Sequence, residues 1–321
     1  MDDRVFGRAG GLVALAVATM LLSAGARGEP ELFAPDVIST GDDESHPTFS
    51  PDGNTLFFLK NTPLFDHWTV LVTSLKDNEW SRPVVAPFSG QYADADVVFT
   101  GDGTRIYFVS MRPLDGSSGE ARTNTDIWTA TRDGGDWSEP EHVTELGSPG
   151  DEWFPTLTDD RTLYFGSHRE GGAGGSDIWF SRRNGEGYGV PENLGAPINT
   201  EAMEIEAWIA PDESYMIFSA SGRPDSLGEY DLYYSEMQDG GWSEPENLGP
   251  QVNSPGWDFS PRPGPAGKFL YFTSNRRIPA FPYGQVLNYD QLLAQIRSPG
   301  NGLRDIYRVD LDAALEAARG K

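Results

Sequence analysis

Residues 44–58 read ESHPTFSPDGNTLFF, and this stretch decides the fold. A short extended run from His46 to Phe49 leads into Ser-Pro-Asp-Gly, a combination that favours a tight turn. Leu-Phe-Phe then opens a buried strand, so the stretch is predicted to be a hairpin of two strands. The same pattern occurs four more times, in copies that begin at Asp94, Glu152, Glu204 and Asp258.

The spacing of the copies predicts a ring of repeated sheets. They follow one another at a period of roughly 40–50 residues with several strands per unit, which is typical of a β-propeller. A third strand is expected after each hairpin, beginning at Asp66, Asp126, Asp177, Asp231 or Asp305. Each of the first four repeats then closes with an aromatic-x-x-Pro segment, which starts at Trp80, Trp137, Tyr188 or Trp242.

The fifth repeat has no closing segment of its own. Residues 33–38 (FAPDVI) resemble one, so the N-terminal copy can supply the outer strand of the last blade. Such closure would cover the free strand edges. The expected fold is all-β, a single propeller of five four-stranded blades closed by an N-terminal strand, with six blades as the alternative.

The repeat resembles the TolB-like family of WD-like β-propeller repeats, which is built on a Ser-Pro-Asp-Gly turn. The resemblance covers about residues 31–311 and rests on residues 49–58 (FSPDGNTLFF) and 174–179 (GGSDIW). It implies an exported binding or scaffold propeller, in some cases tied to envelope complexes and in others related or fused to hydrolases. Family members often have six blades, and the five repeats depart from that.

Residues 1–26 have the pattern of a secretory signal, with Arg4 and Arg8 ahead of a short apolar run and a small-residue cleavage site. We therefore expect residues 27–321 to be the propeller domain, periplasmic or secreted, without a transmembrane anchor once the signal is removed. The chain has no cysteine, which excludes a disulfide framework.

The formal net charge of −25 argues against nucleic acid and anionic membrane surfaces as partners, because both would be repelled. The expected partner is a protein or a polar or glycan ligand in the cell envelope, and the chain is expected to be a monomer.

One insertion breaks the repeat, at about residues 277–303. It contains Tyr283 and a capping box from Asn288 to Gln291, which predicts a short helix that either packs on the rim of the ring or acts as a lid. A second short helix is expected at the C-terminus, capped by Asp312.

Charged residues recur at the same three positions of the repeat. An acid stands at the start of every first strand: Glu44, Asp94, Glu152, Glu204 and Asp258. An arginine follows the second strand in four repeats, and an aspartate begins each third strand. A residue that every blade carries is most simply structural, through bonds between arginine and carboxylate. The alternative is a polar-ligand or Ca²⁺ site, although no EF-hand spacing is present.

The blades differ two residues beyond each acid, where His46, Asp96, Phe154, Glu206 and Ser260 stand. By the period of two, these residues should share the acid's strand face and form an asymmetric polar pocket with a stacking surface. His168 is expected on the same rim.

These features favour a non-catalytic binding or scaffold module, with no catalytic residue assigned. The alternative is a carbohydrate-active hydrolase or lyase that uses a carboxylate pair at the channel mouth. No nucleophile elbow, phosphate loop or zinc motif occurs. The candidate ligand-binding residues are Glu44, His46, Asp94, Asp96, Glu152, Phe154, His168, Glu204, Glu206, Asp258 and Tyr283.

Overall fold

Five antiparallel sheets follow one another along the chain and form a five-bladed β-propeller. The computed structural model describes residues 28–115, 117–277 and 286–319. The prediction of five blades is confirmed and the six-bladed alternative is wrong. The predicted signal segment and Tyr283 lie outside the described residues.

Each blade begins with an inner strand, and the inner strands of neighbouring blades pack against one another around the ring axis. The inner strands are Asp43–Phe49, Asp94–Phe99, Glu152–Leu157, Met203–Ile209 and Asp258–Pro263. The second strands are Thr55–Asn61, Arg105–Ser110, Leu163–Ser167, Tyr215–Ser221 and Phe269–Ser274. The third strands are Trp68–Lys76, Asp126–Thr131, Asp177–Ser181, Asp231–Gln238 and Asp305–Asp310.

The outer strands are short, two residues in each blade. They are Val84–Val85, Glu141–His142, Glu192–Asn193, Glu246–Asn247 and, for the fifth blade, Glu31–Leu32. Four small elements accompany them. Glu79–Trp80 and Gly241–Trp242 are two-residue strands, Arg183–Asn184 pairs with Gly187–Tyr188 in a short hairpin, and Thr144–Leu146 is a 3₁₀ turn.

The turn between the first two strands forms as its sequence predicts. In blade 1 the Gly53 N–H donates to the Ser50 carbonyl at 2.8 Å, and the Asp52 carboxylate accepts from the Ser50 hydroxyl at 2.5 Å and from the Asn54 N–H at 3.0 Å. Gly53 has a φ of 72°, which glycine adopts without a Cβ clash. All five turns lie on one face of the ring, which we call the turn face; the inner strands begin on the opposite face, which we call the acid face.

The second strand supplies the deepest part of the core. One phenylalanine at the same position of each blade is almost completely buried: Phe58, Phe108, Phe165, Phe218 and Phe272. Burying a side chain of this size contributes about 1.5–3 kcal/mol, so the repeated aromatic is the main apolar support of every blade.

The N-terminus closes the ring, as predicted. Glu31 and Leu32 pair with Arg308 and Tyr307 of the last third strand, and the Phe33 N–H donates to the Ile306 carbonyl at 2.8 Å. The ladder therefore begins two residues before the segment 33–38 that the sequence indicated.

Two strand predictions need correction. The third strand of blade 1 begins at Trp68 rather than at Asp66, whose side chain is exposed beside Thr62. The outer strands lie just after the aromatic-x-x-Pro segments, not within them, because the proline lacks the N–H that a strand ladder needs.

The helix in the insertion, α1 (Tyr289–Ile296), has the predicted capping box between Asn288 and Gln291. None of its residues is buried, and Asn301 ties its end to the ring by donating to the Gly41 and Ile296 carbonyls.

The C-terminal helix, α2 (Leu311–Arg319), packs its apolar side on the fourth and fifth blades. Its first turn is capped by Asp310, which accepts from the Ala313 N–H at 3.0 Å, and not by Asp312 as predicted. Neither helix in the described part of the chain is long and apolar enough to cross a membrane.

Candidate functional site

The acids that begin the inner strands form a ring of buried ion pairs. All five have no exposed surface, and in blades 2 to 5 each binds the arginine that follows its second strand. In blade 2, for example, the Arg112 guanidinium donates to the Asp94 carboxylate at 2.6 Å and to the Phe88 carbonyl at 2.9 Å, and it lies 5.1 Å from the centre of the Phe108 ring. Blade 1 has no such arginine, and Lys60 binds Glu44 instead, at 2.5 Å.

These pairs bind the blades internally and leave no exposed surface for a ligand. The sequence offers these five acids as ligand-binding candidates, and each is paired with a cation: Glu44, Asp94, Glu152, Glu204 and Asp258. A carboxylate that is buried and paired in this way is costly to free, so the ring acts as a structural lattice.

The aspartates of the third strands also serve the fold. Asp177 accepts from the Asn193 amide at 2.7 Å, and Asp231 accepts from the Asn247 amide at 2.8 Å. Asp305, in the blade closed by the N-terminal strand, accepts only from the Gly300 N–H among the described residues, at 2.9 Å, and its Oδ1 is buried without a partner. Burial, reinforced by the charge of Glu44, raises the pKa of Asp305 to about 8.

The residues that differ between blades sit on a β-bulge. In all five inner strands the pairing register shifts just after the residue that follows the acid, and the residue two beyond the acid has a left-handed backbone. The φ angles are 55° at His46, 57° at Asp96, 48° at Phe154, 53° at Glu206 and 54° at Ser260. The simple alternation of faces expected from the sequence therefore fails here, because the bulge turns these side chains toward the ring axis.

The bulge brings three titratable side chains together at the axis. His46 Nε2 lies 3.4 Å from the Asp96 carboxylate and 3.2 Å from the Glu206 carboxylate, which come from blades 2 and 4. The other ring nitrogen, Nδ1, lies 2.7 Å from the Ser45 hydroxyl. We call His46, Asp96, Phe154, Glu206 and Ser260 the central cluster.

Backbone and hydroxyl donors fix both carboxylates. The Phe154 N–H donates to Asp96 Oδ2 at 2.9 Å, while the Ser260 N–H and hydroxyl donate to Glu206 Oε2 at 2.7 and 2.9 Å. Because the donors belong to blades 3 and 5, the cluster joins all five blades.

The protonation of the cluster is set by burial and by charge. Burial alone would lower the pKa of His46, but the charges of Asp96 and Glu206 outweigh it and the pKa is raised. Burial raises the pKa of Asp96 against the opposing charge of His46. Protons are thus retained at the centre of the ring.

Aromatic rings surround the cluster on the acid face. The rings of Phe65 and Phe259 lie 6.2 and 5.5 Å from His46, and Trp257 lies 6.2 Å from Phe259. Tyr230 lies 5.6 Å from Trp257, and its pKa is raised by burial and by the charge of Glu206. Phe65, Tyr230 and Trp257 are partly exposed, so they present a stacking surface at the mouth.

His168 does not join the central cluster. It is exposed on the rim, where its ring lies 4.4 Å from Trp153 and its Nδ1 lies 3.4 Å from the Asp151 carboxylate. Within the described ranges, no group of three or more histidine, aspartate or glutamate side chains is arranged to hold a metal ion, and the Ca²⁺ site stays a prediction.

A cavity lies on the turn face, where the sequence indicated no site. It has a volume of about 650 Å³. Its lining includes the residue four beyond the acid of each inner strand, namely Thr48, Val98, Thr156, Trp208 and Arg262. Four residue types occur at this one position of the repeat, and this variation is the signal in the sequence that could have indicated the cavity. We call this cavity the funnel; none of the central cluster side chains lines it.

No protein-family model matches the chain, and no curated protein matches it either. Solved structures share its fold. A structure titled glycoside hydrolase is 9% identical, with 87% of this chain and 90% of that chain covered and a TM-score of 0.51. An endo-arabinanase from Bacillus licheniformis is 15% identical, with 85% and 96% covered and a TM-score of 0.48. A puromycin-hydrolysing peptidase from Mycobacterium tuberculosis is 14% identical, with 82% and 41% covered and a TM-score of 0.39. At 9% identity, the similarity to the first of these structures shows the propeller fold alone.

Proposed function

We propose that the chain is a carbohydrate-active propeller enzyme in which Asp96 and Glu206 cleave a glycosidic bond at the acid face. One observation carries the proposal: two carboxylates from different blades meet at a single nitrogen of His46. The two oxygens that face this nitrogen are therefore at most 6.6 Å apart, and retaining glycosidases hold their two carboxyl groups about 5–5.5 Å apart.

The two carboxylates have different surroundings, as an acid and a base require. Burial raises the pKa of Asp96, which suits it to hold a proton and donate it to a leaving oxygen. Glu206 is held in place by two hydrogen bonds from Ser260, and it takes the role of base or nucleophile in the proposal. His46 is the positioning residue, because it contacts both.

The surroundings are compatible with a sugar. Phe65, Tyr230 and Trp257 offer aromatic faces for stacking beside the carboxylates. Propellers titled glycoside hydrolase and endo-arabinanase have the same fold. Combined with the predicted export and the TolB-like resemblance, the expected substrate is a glycan outside the cytoplasm.

The test is hydrolysis of a panel of aryl glycosides and polysaccharides, arabinan included, by the wild type and by the Glu206→Gln and Asp96→Asn variants. Both substitutions should lower kcat by about 10²–10⁴-fold in variants whose Tm shows that the chain is still folded. The exposed Glu139→Gln serves as the matched control and should leave kcat unchanged. No turnover by the wild type, or equal turnover by all variants, would overturn the proposal.

A second candidate function is a non-catalytic binding module for a protein or polar ligand. The burial of the two carboxylates favours it, because a buried carboxylate is poorly accessible to a substrate. Asp96 is 5% and Glu206 is 7% exposed, and every acid of the surrounding ring is already paired. A ligand at 100 times its Kd should add about 2.7 kcal/mol of apparent stability. A glycan or protein that raises Tm without being cleaved would select this candidate over the enzyme.

A further inference from the structure

The funnel on the turn face has its own lining, to which none of the central cluster side chains contributes. Its innermost charged side chain is Arg262, which is 4% exposed and forms no ion pair within the described residues. The guanidinium donates to the Thr156 hydroxyl at 2.8 Å and to the Pro155 carbonyl at 3.1 Å, and its Cζ lies 3.9 Å from the centre of the Phe154 ring.

Arg262 retains unused hydrogen-bonding capacity. A guanidinium has five N–H donors, and the two bonds above leave Nε buried without a partner. Burial lowers the pKa of Arg262 to about 10, against the attraction of Asp96 and Glu206, so the group stays charged at neutral pH. A buried cation with free donors beside a cavity is suited to an anion that brings two acceptor oxygens.

The walls of the funnel suit a ring with hydroxyl groups. Trp208 and Tyr215 are partly exposed there, with ring centres 5.4 Å apart. The Thr48 hydroxyl and the exposed Asp159 carboxylate also line the cavity and can bond to hydroxyl groups of a ligand. The volume of about 650 Å³ is within the range of small-molecule sites.

We propose that the funnel binds a sugar ring that carries a carboxylate, with the carboxylate against Arg262 and the ring against Trp208. In a chain of net charge −25, an anion needs a local cation to be held, and Arg262 supplies it. The carboxylate would form charge-assisted bonds with the unused donors, and the apolar face of the sugar would cover the indole.

The experiment compares galacturonate with galactose, two sugars that differ in whether a carboxylate is present. Calorimetry with the full chain should show galacturonate binding at least tenfold more tightly than galactose. Trigalacturonate distinguishes two sources of the ligand, a free sugar acid and the end of a polymer. Tighter binding of the trimer would indicate a polymer end, and equal binding would indicate the monosaccharide. Either result supports the proposal.

Variants locate the site. Trp208→Ala should weaken galacturonate binding at least tenfold, and Arg262→Gln should remove the preference over galactose. Arg182→Gln, an exposed arginine outside the funnel, should change neither. Because Arg262 is buried, the binding data of its variant are interpreted only if its Tm shows a folded chain. If the variant does not fold, Trp208→Ala alone tests whether galacturonate binds in the funnel.

Three outcomes would overturn the proposal: binding of neither sugar, equal binding of both, or galacturonate binding that Trp208→Ala leaves unchanged. The calorimetric experiment measures only binding at the turn face. An absence of turnover in the glycosidase assay would therefore leave the funnel proposal unaffected.

Discussion

Each inner strand contributes to two layers of side chains, which lie only two residues apart in sequence and differ in how far they repeat between blades. The first layer is the ring of acids, which repeats in every blade and is buried and neutralised by arginine or lysine. The second is the central cluster, where each blade contributes a different side chain from the same strained backbone. Repetition marks what every blade needs to fold, whereas variation on a repeated backbone marks where this protein can have its own chemistry.

The largest expected effect is on the repeated layer. Arg112→Met leaves the buried Asp94 carboxylate without a cation and should lower the free energy of unfolding by about 3–5 kcal/mol in chemical denaturation. Lys60→Met is the matched control, because Lys60 is 33% exposed and water can replace it in part; the expected loss is about 1 kcal/mol. Equal losses of unfolding free energy in the two variants would mean that the burial of the cation does not determine how much the Arg112–Asp94 and Lys60–Glu44 pairs stabilise the chain.

The next prediction concerns Asp305, the one third-strand aspartate with an orphan oxygen among those described. Its pKa is raised from 3.8 to about 8, so folding favours its protonated form. Its contribution to stability is therefore largest at low pH and is lost as the pH rises from about 4 to 8.

Asp305→Asn removes that titration and should stabilise the chain by about 1–3 kcal/mol at pH 8, with a gain that shrinks toward pH 4. Thermal unfolding of both chains across this range is the measurement. Asp231→Asn, whose carboxylate is bonded to Asn247, should instead destabilise the chain. A gain that does not depend on pH would contradict the assignment.

The smallest effect is expected in the central cluster. Ser260→Ala removes the hydroxyl bond to Glu206 but keeps the backbone bond, so the free energy of unfolding should fall by about 1 kcal/mol. A loss as large as that of Arg112→Met would break the comparison, because the centre would then be as structural as the ring.

The repeat made most of the fold predictable. The Ser50–Gly53 turn, the buried Leu-Tyr-Phe strands, closure by the N-terminus and the capping box of α1 all rest on short local rules or on counting strands. The acid–arginine pairs also followed from residues that recur at fixed positions in the repeat.

The central cluster was only half predictable. The sequence identified His46, Asp96 and Glu206 as residues that differ between blades, but it did not show the bulge. In a sequence, glycine is the usual sign of a left-handed backbone conformation, but none of the five bulge residues is glycine. The packing of neighbouring blades must therefore impose this conformation. The sequence does not predict the funnel, because the turns that border it repeat from blade to blade and no local motif marks the residues beneath them as a cavity.

Closure of the ring by Glu31–Leu32 also sets the order in which the molecule can form. The strand next to it in space, Asp305–Asp310, is almost the whole chain away in sequence. Hairpins within a blade form from near neighbours, but this last ladder must wait until all five blades exist, and contacts of that kind slow folding. During synthesis the N-terminal segment remains without its partner until the last blade is made, so the native ring is completed in one final, non-local step.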